Sequence, residues 1–290
     1  MKKQVKLILV LVTLFAILAA IVVFNIQDKE LKVYFLDVGQ GDSILIRTPN
    51  HQDILIDGGP DSDVVNKIGQ HLPFYDRDIE LMILTHAHSD HLVGLIEVLK
   101  RYQVDQILYS GKVDYQSSDY LAWLDIIRKK TIPLRSVKCC EQISLGENLN
   151  LDILYPYEDF SGKKIEDLND TSIVAQLIFQ NKQFLFTGDA PVKVEKKLID
   201  QNLNLESQVL KVGHHGSKYY SSSEFLKLVD PQYAIIQSGK DNKFGHPHFK
   251  TLNNLSKQGI EILRNDQCGT IWFKTDGEEL KVKSEKCQQL

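Results

Sequence analysis

Four side chains that can bind a metal ion fall within six positions in the segment LMILTHAHSDHLVG, residues 81–94. An apolar run comes directly before them, and the segment HLVGLIEVLKRY after them has apolar residues at helical spacing. The cluster is therefore predicted to lie in a loop between a buried strand and a helix. Imidazole and carboxylate groups are ligands for zinc, manganese or iron. The candidate ligands are His86, His88, Asp90 and His91.

Short runs of branched and aromatic residues predict strands on both sides of this cluster. They come first as neighbours, in LKVYFLDV, DSILIRT and DILIDGG, and later alternate with helical segments, the first of them near Asp63 to His71. This order predicts an α/β fold of layered sheets with helices outside. The segment GTIWFKTDGEELKVKS predicts a hairpin that turns at Asp276 and Gly277.

The N-terminal segment has the pattern of a membrane helix. Lys2, Lys3 and Lys6 precede an uncharged run of 18 residues, Leu7 to Phe24, and a helix needs roughly 20 residues to cross a bilayer. Basic residues ahead of the run predict that the remainder is exported. The run exceeds the roughly 7 to 15 residues of a signal peptide, and no clear cleavage site follows it. We expect residues 1–27 to be a transmembrane anchor, with a cleaved signal or a buried helix as alternatives, and residues 28–290 to form one extracytoplasmic domain.

Charge and cysteine content restrict the function of that domain. Without the three N-terminal lysines, 31 of the 34 basic residues remain against 38 acidic ones, a net charge of −7. This disfavours a general nucleic-acid-binding surface, which is normally basic. Four cysteines do not make a disulfide framework in a chain of this size. Cys268 and Cys287 flank the predicted hairpin and are candidates for a pair.

Three later motifs add candidate ligands to the cluster. FLFTGDA brings Asp189 to the end of an apolar strand, where a buried carboxylate is costly without a partner. LKVGHHGS puts His214 and His215 at another strand end, and FGHPH adds His246 and His248. Catalytic metal sites keep one position open for water. Two ions that share that water need a bridging carboxylate from elsewhere in the chain.

The ordered motifs resemble the metallo-β-lactamase superfamily, and most closely the ComEC-type hydrolase domain of DNA-uptake proteins. They are FLDVGQGDSILI, ILIDGG, LTHAHSDH, NDTSIVAQL, FLFTGDA, LKVGHHGS and FGHPH, between about residues 31 and 275. The resemblance implies a four-layer αβ/βα sandwich with one or two divalent ions, zinc or manganese, at one edge. It also implies that His86 and His88 bind the first ion, that Asp90 and His91 bind the second, and that Asp189 bridges them.

Asn169 marks a departure from the superfamily pattern. Many members supply a further histidine to the first ion, but no histidine lies between His91 and His214 here. In the corresponding segment LNDTSIV, the branch resemblance implies that Asn169, Asp170 or Ser172 stands in. The first site is then expected to be weaker, and either to favour manganese or to hold metal only with substrate.

The last metal ligand stays open among His214, His215 and His246, and strand-end position favours His214. A histidine in this group that does not bind metal would donate a proton to the leaving group or bind a phosphate oxygen. The candidate catalytic residues are therefore Asp90, His215 and His246. The candidate substrate-binding residues are Asn169, Ser172, Ser217 and His248. Asp57 of the IDGG motif is the candidate support for the histidine loop.

The resemblance and the ligand set together imply a hydrolase in which the metal activates water against an ester. A phosphodiester is favoured, either in DNA or in the cell envelope. The alternative is a membrane-tethered binding or assembly module for DNA uptake with little or no catalysis, which the absent histidine motivates. Lactam hydrolysis fits less well, because HHGS and FGHPH are not expected of lactamases.

Overall fold

The computed structural model describes the backbone of residues 2–26 and 29–287, with side chains for residues 3–19 and 29–287. Its helices are α1 (Lys2–Ile26), α2 (Asp63–His71), α3 (Ser89–Arg101), α4 (Ser118–Lys130), α5 (Val192–Asp200), α6 (Ser223–Val229), α7 (Phe249–Lys257) and α8 (Asn265–Cys268). Its strands are β1 (Leu31–Phe35), β2 (Ile44–Arg47), β3 (Asp53–Ile56), β4 (Asp78–Ile83), β5 (Gln103–Tyr109), β6 (Leu134–Ser136), β7 (Gln142–Gly146), β8 (Leu149–Tyr155), β9 (Val174–Phe179), β10 (Lys182–Phe186), β11 (Val209–Lys211), β12 (Tyr233–Ile236), β13 (Glu261–Arg264), β14 (Ile271–Thr275) and β15 (Leu280–Ser284). Short 3-10 turns cover Leu168–Thr171 and Gly213–Gly216.

The strands of the described residues form two mixed sheets. One has eight strands in the order β15-β14-β1-β2-β3-β4-β5-β6, and the other has seven in the order β13-β12-β11-β10-β9-β8-β7. Each sheet is antiparallel at one end, where most neighbouring strands are also consecutive in the chain, although β1 pairs with the distant β14. Each is parallel at the other end, where helices make most of the crossovers that parallel pairing requires.

The core lies between the two sheets and between each sheet and its helices. On β2, Ile44 and Ile46 belong to the apolar cluster between the sheets, whereas Leu45 belongs to the cluster that includes the helices. This alternation follows from the period of two along a strand. Phe35 of β1 and Phe186 of β10 face each other across the sheets, with ring centroids 6.2 Å apart. The layered α/β sandwich expected from the sequence is therefore confirmed.

The C-terminal hairpin shows how local residues determine a turn. β14 and β15 pair antiparallel with Thr275 opposite Leu280. Asp276 Oδ1 accepts hydrogen bonds from the backbone N–H groups of Glu278 and Glu279, each at 3.0 Å, so one aspartate satisfies two loop donors.

Both cysteine pairs are joined by disulfides. Cys268 and Cys287, the candidate pair, are bonded to each other across the hairpin. A second disulfide joins the neighbours Cys139 and Cys140 and was not predicted.

Every side chain described in helix α1, residues 3–19, is exposed. Among the described residues, no helix has both the length and the apolar character needed to cross a membrane. The transmembrane prediction for residues 1–27 thus receives no support from them, and the side chains of residues 20–27 lie outside the described part.

The predicted motifs gather at one edge of the sandwich. β3 and β4 run parallel in the first sheet, as do β10, β11 and β12 in the second. Because parallel strands have their carboxyl ends at the same edge of a sheet, the segments that follow these strands meet there. These segments contain the IDGG, THAHSDH, TGDA and GHHGS motifs.

Candidate metal centre

One carboxylate oxygen, Asp189 Oδ2, lies close to four imidazole rings. Its distances to the Nε2 atoms are 3.9 Å for His86, 3.3 Å for His91, 3.7 Å for His214 and 3.5 Å for His215. The carboxylate is sealed from solvent, with its side chain 2% exposed. Burial alone would raise the pKa of Asp189, but the His215 and His91 rings outweigh it and hold the pKa well below its usual range.

The turn after β10 aims Asp189 at this centre. Gly188 has a φ of +50°, and a Cβ there would lie 3.1 Å from the Cβ of Thr85, so a side chain would crowd the histidine loop. The backbone N–H of Asp189 donates to Ser172 Oγ at 3.2 Å. Ser172 is completely buried. The Ser172 side chain therefore fixes the backbone of Asp189. This role does not fit the substrate contact that was predicted for Ser172.

The THAHSDH loop brings His86 and His88 to the centre. His88 is the extended residue before α3, and its Nδ1 lies 3.0 Å from Nε2 of His86. Asp90 and His91 follow in the first turn of α3. The predicted arrangement of strand, loop and helix is present.

Asp57 orients His91. It has a φ of +57° after β3, and its Oδ2 lies 2.7 Å from His91 Nδ1. The backbone N–H of Thr85 donates to Asp57 Oδ1 at 2.8 Å and the Thr85 hydroxyl donates to Oδ2 at 2.6 Å. A carboxylate on Nδ1 leaves Nε2 of His91 facing Asp189, which is how metal-binding histidines are commonly oriented. This is the contact that the predicted supporting role requires.

His215 is held in a similar way by a backbone carbonyl. Its Nδ1 lies 2.9 Å from the carbonyl oxygen of Gln237, and its Nε2 lies 3.2 Å from Asp90 Oδ2. His214 and His215 both have left-handed backbone angles, with φ of 47° and 56°. The chain therefore turns sharply here, so that the side chain of His215 is 1% exposed while that of His214 is 28% exposed.

Asp42 and Lys211 complete the buried charges, and the sequence motifs predicted a role for neither. Asp42 Oδ1 lies 3.2 Å from His215 Nδ1, and its Oδ2 pairs with the Lys211 ammonium group. The same ammonium lies 3.7 Å from Asp189 Oδ1. The lysine at the end of the apolar strand VLK could have indicated a buried ion pair, because lysines are almost never fully buried unless they are paired.

The imidazoles divide into two groups by protonation. Burial lowers the pKa of His91 and His215, but nearby carboxylates outweigh it, raising the pKa of His91 well above its usual value and that of His215 to about 9. For His86, His214 and His246 burial prevails, and it lowers the pKa of His246 to about 4. The second group is therefore neutral at pH 7, and a cation bound among the carboxylates would replace the protons on His91 and His215.

The donor set fits divalent ions. Ligand atoms about 2.0–2.2 Å from one ion lie about 3–3.5 Å apart, and the closest contacts of the cluster fall in this range. If the imidazoles are neutral, the one buried ammonium group that the described residues bring to these four carboxylates is that of Lys211, beside Asp42 and Asp189, and the remaining negative charge needs cations. Within the described residues, groups with mutually close ligand atoms include His86, His91 and Asp189, and also Asp90, His91 and His215. The four carboxylates are Asp42, Asp57, Asp90 and Asp189.

The remaining predicted residues line the His214 side of the centre. Asn169 donates from Nδ2 to the Tyr220 hydroxyl oxygen at 3.2 Å, and the Tyr220 ring packs edge-on against His214 at 4.5 Å. The ring of His246 lies 5.6 Å from that of His214. His248 lies next to this group, because its N–H donates to the Gly216 carbonyl at 2.9 Å.

One of the predicted substrate-binding residues, Ser217, contacts helix α7. Ser217 is 9% exposed and its carbonyl accepts from the Thr251 hydroxyl at 2.7 Å, so it ties the histidine turn to α7. Tyr220 was missed by the sequence analysis, since nothing in the segment SKYYSS distinguishes it from Tyr219. Burial raises the pKa of Tyr220, so its hydroxyl stays protonated.

This fold and histidine–carboxylate centre define a metallo-hydrolase class of protein, and the chain belongs to the metallo-β-lactamase superfamily. Residues 36–240 match the family described as Metallo-beta-lactamase superfamily. The chain is similar to ComE operon protein 3 of Bacillus subtilis (strain 168), with 28% identity over 269 residues, 87% of this chain and 34% of the relative. It is also similar to Competence protein ComA of Neisseria gonorrhoeae, with 31% identity over 250 residues, 86% of this chain and 33% of the relative.

The similarity is therefore to a part of these proteins, because the chain spans about a third of the length of each. Among solved structures, CmlA, a diiron beta-hydroxylase from Streptomyces venezuelae, superimposes with a TM-score of 0.51 at 14% identity, over 81% of this chain and 53% of that one. At this identity the likeness shows the fold alone.

Proposed function

We propose that residues 28–290 are a metal-dependent phosphodiesterase. The observation that carries the proposal is Asp189 Oδ2, which has an imidazole nitrogen of each of four histidines within 3.9 Å. One oxygen among four potential nitrogen ligands is suited to bridge two ions. Two ions held there would suit the displacement of one oxygen by another at phosphorus.

The ligand assignment that we propose uses both histidines of the GHHGS turn. His86, His88 and His214 would hold the first ion, and Asp90, His91 and His215 the second, with Asp189 between them. His214 thereby takes the place of the histidine that is absent at Asn169. This ligand assignment differs from the sequence prediction because it adds His215, whose Nε2 lies 3.2 Å from Asp90 Oδ2. Bound ions supply Lewis acidity, activating water and polarising the phosphoryl group.

The reaction adds one water across a phosphodiester. A water oxygen forms a bond to phosphorus, the bond to the leaving oxygen breaks with its electron pair, and that oxygen takes a proton, giving a monoester and an alcohol. His246 is neutral at pH 7, because burial lowers its pKa to about 4. It therefore suits a hydrogen bond to the phosphoryl group better than the proton donation expected from the sequence.

A rim of basic and aromatic side chains beside the centre supports an extended, phosphate-rich substrate such as DNA. Tyr219, Phe244 and Phe249 are 64%, 54% and 78% exposed. Exposed lysines stand among them on a domain that is acidic overall, and stacking rings combined with cations are typical of single-strand binding. We call this set the site rim: Lys218, Tyr219, Lys240, Lys243, Phe244, Phe249 and Lys250.

An extracytoplasmic location is part of the proposal. The disulfide between Cys268 and Cys287 supports it, because such bonds form and persist in oxidising compartments. Residues 1–27 would then act as the export or anchoring segment. Membrane fractionation combined with protease treatment of intact cells tests this part, and protection of the domain from protease would contradict it.

The experiment for the activity is metal analysis of the purified full chain together with an ester panel. With manganese or zinc, the protein should cleave bis(p-nitrophenyl) phosphate, and Asp189→Ala should abolish cleavage. Asp241→Ala, an exposed carboxylate near the rim, is the matched control and should retain activity. Metal-bound protein that cleaves carboxylic esters or lactams but no phosphodiester would overturn the substrate assignment.

The alternative function is a binding or assembly module with little catalysis. Asn169 favours it, because this side chain stands where many relatives supply a metal ligand and its amide is engaged by Tyr220. Metal content decides between the two. A purified chain without stoichiometric metal, whose cellular role survives Asp90→Ala, would be a module of this kind.

A further inference from the structure

A chain of polar side chains with unused hydrogen-bonding capacity extends from the metal centre on the His214 side. Asn169, only 6% exposed, has its Oδ1 buried without a hydrogen-bond partner. The same holds for Nδ1 of His214 and Nδ1 of His246. Buried polar atoms without partners each cost about 1–3 kcal/mol. Several of them in one row indicate a ligand that supplies the missing partners.

Tyr220 stands in the middle of this row. Its hydroxyl oxygen accepts a hydrogen bond from Asn169 Nδ2 at 3.2 Å, so its own hydrogen is left to donate. Among the described residues the hydroxyl has no acceptor. Its ring contacts His214 edge-on at 4.5 Å, and Nε2 of His214 lies 3.7 Å from Asp189 Oδ2. The imidazole of His214 therefore lies between the Tyr220 ring and the central carboxylate, Asp189.

We propose that Tyr220 is a catalytic residue whose hydroxyl donates a hydrogen bond to one non-bridging oxygen of the scissile phosphodiester. The inference rests on the proposed phosphodiesterase function and names a donor that the ligand set does not contain. Asn169 is the positioning residue, because its amide fixes the direction of the hydroxyl. Charge grows on the non-bridging oxygens as the attacking oxygen bonds to phosphorus, and a donor already aimed at them stabilises that charge.

The backbone next to Tyr220 is held in place by hydrogen bonds, and a donor that stabilises charge must have a fixed position. The backbone N–H groups of Ser221 and Ser222 donate to the buried carboxylate of Glu195 at 2.6 and 2.9 Å. Glu195 is 3% exposed and lies on α5. The chain directly after Tyr220 is thus anchored to a helix, whereas the neighbouring Tyr219 is 64% exposed.

Tyr220→Phe tests the proposal, with Tyr219→Phe as the matched control one residue away. With bis(p-nitrophenyl) phosphate and manganese, Tyr220→Phe should lower kcat roughly 100-fold, the usual cost of one such donor, with a smaller rise in KM because the hydroxyl also contacts the bound phosphate. Tyr219→Phe should behave as the unaltered protein. Metal content and Tm should be equal in all three, so that a lost kcat reports the hydroxyl.

Sulfur substitution separates a hydrogen bond to phosphate from a structural effect. The two enantiomers of methyl p-nitrophenyl phosphorothioate put a weak acceptor at one or the other non-bridging position. With the enantiomer that places sulfur opposite the hydroxyl, the unaltered protein already lacks a good hydrogen bond, so Tyr220→Phe should be little slower than it. With the other enantiomer, Tyr220→Phe should show the full loss of rate relative to the unaltered protein. An equal loss with both enantiomers, or none with either, would overturn the role of Tyr220.

A phosphate-binding measurement distinguishes failure of the Tyr220 proposal from failure of the phosphodiesterase function on which it rests. Inorganic phosphate titrated into the metal-loaded full chain should bind more weakly to Tyr220→Phe than to Tyr219→Phe. If the unaltered protein cleaves phosphodiesters and both variants match it, only the inference about Tyr220 fails. If the unaltered protein neither cleaves phosphodiesters nor binds phosphate, the proposed function fails with it.

Discussion

Lys211 and Asp42 form an ion pair that is closed off from solvent beneath the histidine cluster, with side chains 0% and 3% exposed. Asp42 follows β1 of the first sheet and Lys211 ends β11 of the second. The ammonium group also donates to the Gly188 carbonyl at 3.1 Å. The pair thus joins the two sheets at the edge where the candidate metal ligands meet.

Replacing Lys211 by methionine should destabilise the domain by about 3–5 kcal/mol, because one partner of a buried pair is left uncompensated. The carboxylates of Asp42 and Asp189 both lose their nearest ammonium group. Denaturant unfolding of the metal-free protein measures the change. Adding Asp42→Asn to Lys211→Met should recover part of the loss, and an unchanged free energy of unfolding in the single variant would contradict the role of the pair.

Asp57→Asn should weaken metal binding about 10- to 100-fold, the usual effect of removing the partner that orients a histidine ligand. The carboxylate holds His91 Nδ1 at 2.7 Å, and an amide can present its donor to that nitrogen and turn the ring. Competition with a metal-sensitive dye measures the affinity. Asp61→Asn, an exposed carboxylate four residues later, is the control, and equal affinities in both variants would exclude an orienting role for Asp57.

The sequence predicted the sandwich and the metal cluster because both depend on local patterns. Strand periodicity separates Leu45 from its neighbours Ile44 and Ile46, and the THAHSDH residues lie next to one another in the chain. The choice between His214 and His215 could not be predicted, because it depends on left-handed backbone angles at two adjacent residues. The roles of Asp42 and Lys211 depend on contacts across 169 positions, which no local pattern contains.

The disulfide between Cys268 and Cys287 should stabilise the domain by about 3 kcal/mol, since it closes a loop with a sequence separation of 19. Replacing both cysteines by serine removes this constraint from the unfolded chain, and urea unfolding measures the difference. The Cys139 and Cys140 double serine variant is a matched control. It removes a bond between neighbours that closes almost no loop, so a comparable loss there would refute the entropic explanation.

Asp53→Asn should stabilise the protein relative to the parent progressively as pH rises. Burial raises the pKa of Asp53 to about 8, against an opposing effect of Arg47, and its Oδ1 has no hydrogen-bond partner. A carboxyl with a raised folded pKa favours folding below its unfolded pKa of 3.8, and that contribution is lost as pH rises to about 8.

Free energies of unfolding for the parent and Asp53→Asn between pH 4 and 9 test this sign. Their difference should change by more than about 1.4 kcal/mol, the equivalent of one pKa unit, and level off above pH 8. A difference independent of pH over this interval would show that Asp53 keeps an ordinary pKa in the folded protein.

The site rim should bind single-stranded DNA through its lysines, so neutralising them should change the salt dependence of binding. Each phosphate contact contributes about −0.7 to the slope of log K against log salt for a single strand. Lys218→Gln with Lys243→Gln should therefore reduce the slope by about 1.4. Fluorescence anisotropy with a labelled oligothymidine measures it for the metal-free full chain, which should not cleave the strand. Lys283→Gln, an exposed lysine on β15, is the control. An unaltered slope in the double variant would show that DNA, if bound, does not lie along the rim.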